Sequence, residues 1–258
     1  MASILLELKN AIAYITLNRP EKFNAFNREM ALALQQKLDE CEKNISVRCV
    51  CITGAGRAFS AGQDLAEVVD PSGPGMDKIL AEHYNPVVRM IRNLNKPVLA
   101  LVNGVAAGAG ANIALCCDVV IAAESASFIQ AFSKIGLIPD SGGTYFLPRL
   151  IGFQKASALM MLGDKINAPE AERLGMVYKY FPDDQFITEA EEIAVTLSQL
   201  STKGLACTKQ ALNQSMESNF EQQLEKEDFY QQRAASTNDF KEGVMAFIQK
   251  RNPVFKGD

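Results

Sequence analysis

The residues best able to hold or move charge lie in a few short stretches. Val105 to Asn112 contains no side chain larger than valine or asparagine and includes Gly108-Ala109-Gly110. The apolar run Val98 to Val102 and the break Asn103-Gly104 precede it, and the helical pattern Ile113 to Cys117 follows at once. Strand, small-residue turn and helix start, in that order, leave free N–H groups and the positive end of a helix dipole at the turn. Such a turn stabilises an anion, or an oxygen that becomes one during a reaction. Tight helix–sheet packing also needs small residues and needs no ligand, so the stretch alone leaves both readings open. A dinucleotide fingerprint fits less well, because Ile113 stands where its third glycine belongs. A P-loop is excluded, since no Gly-Lys-Ser/Thr follows. A second small-residue turn, Gly54 to Leu65, ends Ser60-Ala61-Gly62-Gln63-Asp64-Leu65. In a third, Ile138-Pro139-Asp140-Ser141-Gly142-Gly143, a carboxylate follows two apolar residues. Asp140 can serve as an acid or base, or as the N-cap of a helix starting near Ser141.

His83 is the single histidine, so any Ser-His-Asp or Cys-His nucleophile would have to use it. Within Glu82-His83-Tyr84-Asn85-Pro86 it reads as a partly exposed surface residue at or near a helix start. The six cysteines sit in apolar runs and form no Cys-x-x-Cys. They read as buried, reduced thiols of a cytoplasmic protein, not as a metal site.

These stretches are held by a repeating pattern. Ile4–Leu8 and Ala11–Leu17 read as strands joined at Lys9-Asn10. Met30, Leu34, Leu38 and Cys41 recur at helical spacing, giving a helix over 27–43. Strands are expected at 47–53, 98–102, 118–123 and 177–181, with a short extended piece at 127–132. Asp70-Pro71-Ser72-Gly73-Pro74-Gly75-Met76 cannot be regular structure and reads as a mobile loop; a helix over 76–94 follows it. Pro169 falls in the first turn of a short helix after Asn167. Beyond Thr188 the pattern is helical over 188–200, 204–217, 220–235 and 238–250. Phe240, Val244, Phe247 and Ile248 form an apolar stripe on the last helix. It either packs in the core or covers a site or a neighbouring subunit.

With 258 residues, 48% hydrophobic and 22% charged, the chain can build one large core, or a core with a small appendage. A net charge of −4 disfavours a nucleic-acid surface. No apolar run approaches the ~20 residues of a membrane span. The first residues lack the basic start and apolar centre of a signal peptide, so a cytoplasmic protein is expected.

Taken together, the motifs resemble those of the crotonase, or enoyl-CoA hydratase/isomerase, family over essentially the whole chain. They are Leu17-Asn18-Arg19-Pro20 with Asn24-Ala25, Gly56-Arg57-Ala58-Phe59-Ser60-Ala61-Gly62-Gln63-Asp64-Leu65, Lys96-Pro97, and Asn103-Gly104 with Ala106 to Gly110 and Asp118. Gly136-Leu137-Ile138-Pro139, Gly142-Gly143, Leu147-Pro148-Arg149, Gly163 and Gly175-Met176-Val177 continue the series, and Lys250-Arg251-Asn252-Pro253-Val254-Phe255 closes it. The resemblance implies an α/β fold, a spiral of ββα repeats over 1–187 with a helical region over 188–258 for trimerisation and site cover. It implies a trimer or a dimer of trimers, an acyl-CoA thioester as substrate, and no separate cofactor or metal, since coenzyme A is part of the substrate. The backbone N–H groups of Gln63 and Ala109 would hold the thioester oxygen as an enolate forms. Substrate contacts are implied at Lys22, Asn24, Ala25, Ser60, Ala61, Asp64, Leu65, Gly108, Gly110, Phe132 and Pro139. Phe247, Lys250 and Lys256 are weaker candidates near the adenine and phosphates.

Departures from the family pattern narrow the chemistry. Where hydratases of the family carry two glutamates that activate and deliver water, this chain has Asn112 and Phe132. Neither titrates near neutral pH. That leaves Asp140 as the sole acid and base, desolvated by Phe132, Ile138 and Pro139. Asp64 is a weaker acid candidate and reads first as the cap of the helix after the first turn. Within the family the residues look most like the isomerases that act on a ring epoxide of a phenylacetyl thioester and also move a double bond from the 3 to the 2 position. A general enoyl-CoA isomerase or hydratase of fatty-acid oxidation is the alternative, and a non-catalytic acyl-CoA-binding scaffold is an alternative of another class. An RNA-binding role would need a basic stripe that the sequence lacks.

Overall fold

The computed structural model describes residues 2–258. Ile4–Lys9 (β1) and Ile12–Leu17 (β2) form an antiparallel hairpin. Asn10 and Ala11 turn it with φ of 52° and 62°, the left-handed geometry whose twist suits a two-residue hairpin loop. Helix α1, Arg28–Lys43, starts at Asn27, whose side chain accepts the Met30 N–H at 3.0 Å. Its buried stripe is Met30, Leu34, Leu38 and Cys41.

The chain then repeats one unit. Cys49–Gly54 (β3) is followed by Ala58–Ser60 (β4) and helical pieces Leu65–Val69 (α2), Met76–Lys78 (α3) and Asn85–Asn93 (α4), the last two joined by a π-helical stretch, Ile79–Tyr84. Val98–Val102 (β5), Val105–Ala107 (β6) and Ala109–Leu115 (α5) repeat it. Val119–Ala123 (β7) and Ser127–Ile129 (β8) lead through a 3-10 segment, Ala131–Ile135, to Gly143–Ile151 (α6) and Phe153–Leu162 (α7). Lys165–Asn167 (β9), Ala168–Arg173 (α8) and Lys179–Phe181 (β10) complete the sheets. The first strand of each unit enters a six-stranded sheet, β1-β2-β3-β5-β7-β10, parallel apart from the β1–β2 hairpin. The second enters a four-stranded sheet, β4-β6-β8-β9, in which β9 alone runs antiparallel. Two strands per unit, dealt alternately to two sheets and followed by a helix, make the expected ββα spiral.

The sequence reading placed Ala58–Ser60 and Val105–Ala107 inside turns. They are strands, paired as Ala58 with Val105 and Ser60 with Ala106. Three residues are too few to show a period of two, and pairing across the repeat supplies the order that local preference does not. A second correction concerns His83. It is buried inside the π-helical stretch, and both ring nitrogens lack a partner. An extra residue in that turn swings the ring inward, and burial lowers its pKa.

Helix Phe186–Gln199 (α9) packs Phe186, Ala190 and Ala194 into the core. Thr202–Ser215 (α10), Phe220–Ala235 (α11) and Asn238–Gln249 (α12) extend beyond it. One buried polar centre ties α10 to the sheet. Lys209 Nζ lies 2.8 Å from Asp118 Oδ2 and donates to Ile91 O at 2.6 Å, while Asp118 also accepts from Arg92 and from Val98 N. The apolar stripe on α12 does not pack in this chain's core: Phe240, Val244, Phe247 and Ile248 are all exposed. No helix among the described residues is long and apolar enough to cross a membrane.

Candidate active site

Because β4 and β6 are parallel neighbours, the turns that follow them emerge side by side. A Cβ placed on Gly62 would lie 2.8 Å from Ala107 O and 3.3 Å from Ala109 N, so the two turns touch through this glycine. Gly62 also has φ of +89°, a conformation other residues adopt only with strain. Ala109 is the first residue of α5, and its N–H donates to no described residue, as expected for a helix start. Gly108, with φ of 53° and ψ of −127°, turns the chain into that helix. Beside it, Gln63 forms a bridge with Phe26: Phe26 N donates to Gly62 O at 2.7 Å, and Asp64 N donates to Phe26 O at 2.8 Å. Those bonds turn the N–H of Gln63 to the opposite side, where it too donates to no described residue.

Side chains hold the first turn. Asn24 is fully buried and donates to Ala55 O at 2.9 Å and Ala58 O at 2.8 Å, while its Oδ1 accepts from Arg19 N. Ser60 Oγ donates to Asn24 O at 2.8 Å. Asp64 pairs with Arg19 at 2.9 Å and accepts the Ala66 N–H, capping α2. The side chains of Asn24 and Ser60 thus hold the turn in shape. Gly110 packs against Ser60, where a Cβ would meet the serine backbone oxygen at 2.6 Å. Lys22 ends a short 3-10 turn, Pro20–Lys22, on the surface, with Ala25 buried next to it.

Gln63 and Ala109, which carry the two free N–H groups, line a cavity of about 370 Å³. Ala61, Leu65, Val68, Met76, Ile79, Gly108, Phe132 and Leu137 give it an apolar wall, and its polar groups are Gln63, Tyr84 and Asp140. Asp140 precedes two residues in left-handed backbone, Ser141 with φ of 53° and Gly142 with φ of 76°. Its Oδ1 accepts from Ser141 Oγ at 2.8 Å, and its Oδ2 accepts from no described residue. Gly142, not Asp140, is the N-cap of α6, and no side chain caps that helix. Burial raises the Asp140 pKa above the ordinary carboxylate value, with the Ser141 hydroxyl and the backbone N–H of Asp140 itself acting in the opposite direction. A carboxylate so placed is more basic than a free one.

Tyr84, quoted in the sequence reading without a role, also faces this cavity. Its hydroxyl donates to Gln63 Oε1 at 2.8 Å, Gln63 Nε2 donates to Glu67 Oε2 at 2.9 Å, and Glu67 Oε1 accepts from Arg28 N at 2.8 Å. The π-helical stretch brings Ile79 and Tyr84 to the wall, and no sequence period signals such a stretch. Pro139 leads into Asp140 outside the lining. Phe247 lines a separate groove with Phe240, Val244 and Phe255, so the structure does not bring Phe247 to the Asp140 cavity within one chain. Lys250 ends α12 in left-handed backbone and is exposed. Among the described residues no group of three or more His, Cys, Asp and Glu side chains is placed to hold a metal ion.

The chain has known relatives. The family model described as enoyl-CoA hydratase/isomerase matches residues 7–258. The chain is 45% identical to the 1,2-epoxyphenylacetyl-CoA isomerase of Escherichia coli K12, over 100% of this chain and 99% of that protein. It is 36% identical to the trans-2-decenoyl-[acyl-carrier-protein] isomerase of Streptococcus mutans, with 98% of each covered. The crystal structure of an enoyl-CoA hydratase from Bacillus anthracis superimposes with a TM-score of 0.92 at 31% identity, covering 99% of this chain and 100% of that one. The chain belongs to the enoyl-CoA hydratase/isomerase family.

Proposed function

We propose that the protein isomerises acyl-CoA thioesters, with 2-(1,2-epoxy-1,2-dihydrophenyl)acetyl-CoA as its main substrate and the oxepin thioester as product. Movement of a double bond from the 3 to the 2 position of an enoyl-CoA is the accompanying activity. The observation that carries this reading is the pairing of one free, half-buried carboxylate, Asp140, with two unpartnered N–H groups on adjoining turns. The 45% identity to an isomerase of that epoxide favours the ring substrate.

The thioester oxygen lies between the N–H groups of Gln63 and Ala109. For a 3-enoyl thioester, Asp140 Oδ2 takes a proton from C2. The C–H electron pair moves into the carbonyl, giving a dienolate whose oxygen the two N–H groups stabilise; each such donor is worth about 2.7–4 kcal/mol. The protonated Asp140 then returns its proton at C4 as the C2=C3 bond forms, and the carboxylate is restored. For the ring substrate the C–C bond shared by the epoxide and the six-membered ring also opens, its electron pair becoming part of the π system of the seven-membered oxepin. Asp140 takes a proton from the CH2 beside the thioester and returns it to a ring carbon at the far end of the resulting conjugated enolate. The apolar wall keeps water from competing, and Phe132 and Asn112 supply no group to activate it.

Coenzyme A enters as part of the substrate and no separate cofactor takes part. The exposed apolar stripe on α12 fits a homo-oligomer, trimer or dimer of trimers, in which these helices meet a neighbour. A cytoplasmic location is part of this reading, and six cysteines without a disulfide fit a reducing compartment. A substrate panel tests the reading: the ring epoxide and 3-enoyl thioesters from four to ten carbons, followed by absorbance and mass spectrometry. The epoxide should give the highest kcat/KM. Higher values for the linear chains would make the protein a general 3,2-enoyl-CoA isomerase, and dominant hydration of 2-enoyl-CoA would contradict the isomerase reading.

A further inference from the structure

Asn112 occupies a position where the family resemblance expects a water-activating glutamate, yet it lies outside the cavity lining and is fully buried. Its side chain is engaged at both ends. Nδ2 donates to Asp140 O at 2.9 Å, and Oδ1 accepts from Gln130 Nε2 at 2.8 Å. Gln130 is also buried, in the link between β8 and the 3-10 segment that carries Phe132. Asp140 O takes a second hydrogen bond from Gly143 N at 2.8 Å. Gly143 in turn leaves no room for a larger neighbour, since a Cβ there would sit 2.3 Å from Asn112 Nδ2. The peptide that follows Asp140 is thus fixed from α5 and from the β8 end, just before the left-handed pair Ser141 and Gly142.

We infer that Asn112, oriented by Gln130, is a positioning residue that locks the backbone of Asp140 so that its free carboxylate oxygen stays aimed into the acyl cavity. The inference rests on the reading of Asp140 as the base. The order of the chain of bonds follows from chemistry. The carbonyl of Asp140 can only accept, so the Asn112 amide must turn its nitrogen there and its oxygen to Gln130. A glutamate at position 112 could not donate to that carbonyl when ionised. Replacing the glutamate by an amide therefore removes water activation and braces the remaining carboxylate in one substitution.

Aspartate geometry is what the brace controls, so loss of it should lower turnover more than binding. The test is the double variant Asn112→Leu with Gln130→Met, which removes both polar partners while keeping their shapes, a change that is often nearly neutral for stability. Isomerisation of a 3-enoyl-CoA is followed across pH, with Asp140→Asn measured alongside. The inference predicts a folded protein with KM within about twofold of wild type and kcat lower by about 10- to 100-fold, the range for a displaced catalytic group. It also predicts that the acid limb of kcat/KM moves to lower pH, because a released carboxylate gains water. No other charged side chain contributes to the raised Asp140 pKa, and Tyr84, from the π-helical stretch, is the titratable group facing it. A folded double variant with wild-type kcat and an unmoved acid limb would overturn the inference. If the double variant does not fold, Gln130→Met alone is read by the same two criteria. Activity that survives Asp140→Asn would instead overturn the assignment of the base, a result distinguishable from the first.

Discussion

The turns after β4 and β6 occupy equivalent places in successive repeats and each presents one free N–H, yet they are built differently. The first, around Gln63, is held by polar side chains: Asn24 bridges three backbone groups, Arg19 pairs with Asp64, and Gln63 is tied to Tyr84 and Glu67. The second, around Ala109, has no side-chain cap and is held by close packing, with Gly110 against Ser60 and Gly108 in a backbone conformation suited to glycine. A rigid donor can thus be made from a hydrogen-bond network or from the absence of side chains. The two should fail in different ways.

The packed turn should be the more brittle. Gly110→Ala forces a Cβ to within 2.6 Å of Ser60 O, so either α5 or β4 must shift. Steady-state kinetics should show kcat reduced about 100-fold or more, the cost of a displaced oxyanion donor. The polar turn should yield by degrees. Asn24→Ala strands the buried carbonyl of Ala58, at about 1–3 kcal/mol, and removes a hydrogen bond to the partly buried Ala55 carbonyl, and thermal denaturation should report that loss first. A drop in kcat exceeding that of Gly110→Ala would reverse the ranking of the two turns. Tyr84→Phe should have the smallest effect. It removes one hydrogen bond to the Gln63 side chain, worth about 0.5–1.5 kcal/mol, and leaves the Gln63 N–H in place, so kcat should fall by about tenfold or less.

The same contrast explains what the sequence disclosed. Gly108-Ala109-Gly110 was legible because close packing is written in the identity of the small residues themselves. The C-terminal helices were legible too, from apolar periods long enough to count, whereas the ββα order came from the resemblance, because β4 and β6 are too short to show a period. Asn24, Ser60 and Gln63 stand in recognisable motifs, from which the resemblance marks Asn24 and Ser60 as substrate contacts and Gln63 as an oxyanion donor. That the side chains of Asn24 and Ser60 also hold the turn was not legible, because their bonding partners lie across the fold. Asn112 was read only as a missing glutamate, because its contacts with Asp140 and Gln130 span 28 and 18 residues of sequence. His83 and Tyr84 were hidden for a further reason: a π-helical stretch shifts the face that each residue presents.

Asp140 is the proposed acid and base beside these turns, and its raised pKa would link activity to stability. Below the unfolded pKa, the carboxyl is neutral in both states. Between that value and the raised folded one, the native state binds more protons, so stability falls as pH rises. At pH 7 the buried charge therefore costs stability, and Asp140→Asn should have a higher thermal midpoint than wild type at pH 7 but not at low pH. The most direct test of the central claim measures this variant and the wild type together, following 3-enoyl-CoA isomerisation and 2-enoyl-CoA hydration from pH 4 to 9. A single-aspartate shuttle predicts wild-type isomerisation that fades as pH falls through the raised pKa. It predicts little hydration, and in Asp140→Asn a loss of about 10²- to 10⁴-fold with thioester binding retained. Strong hydration by the wild type, or isomerisation that survives in Asp140→Asn, would contradict it.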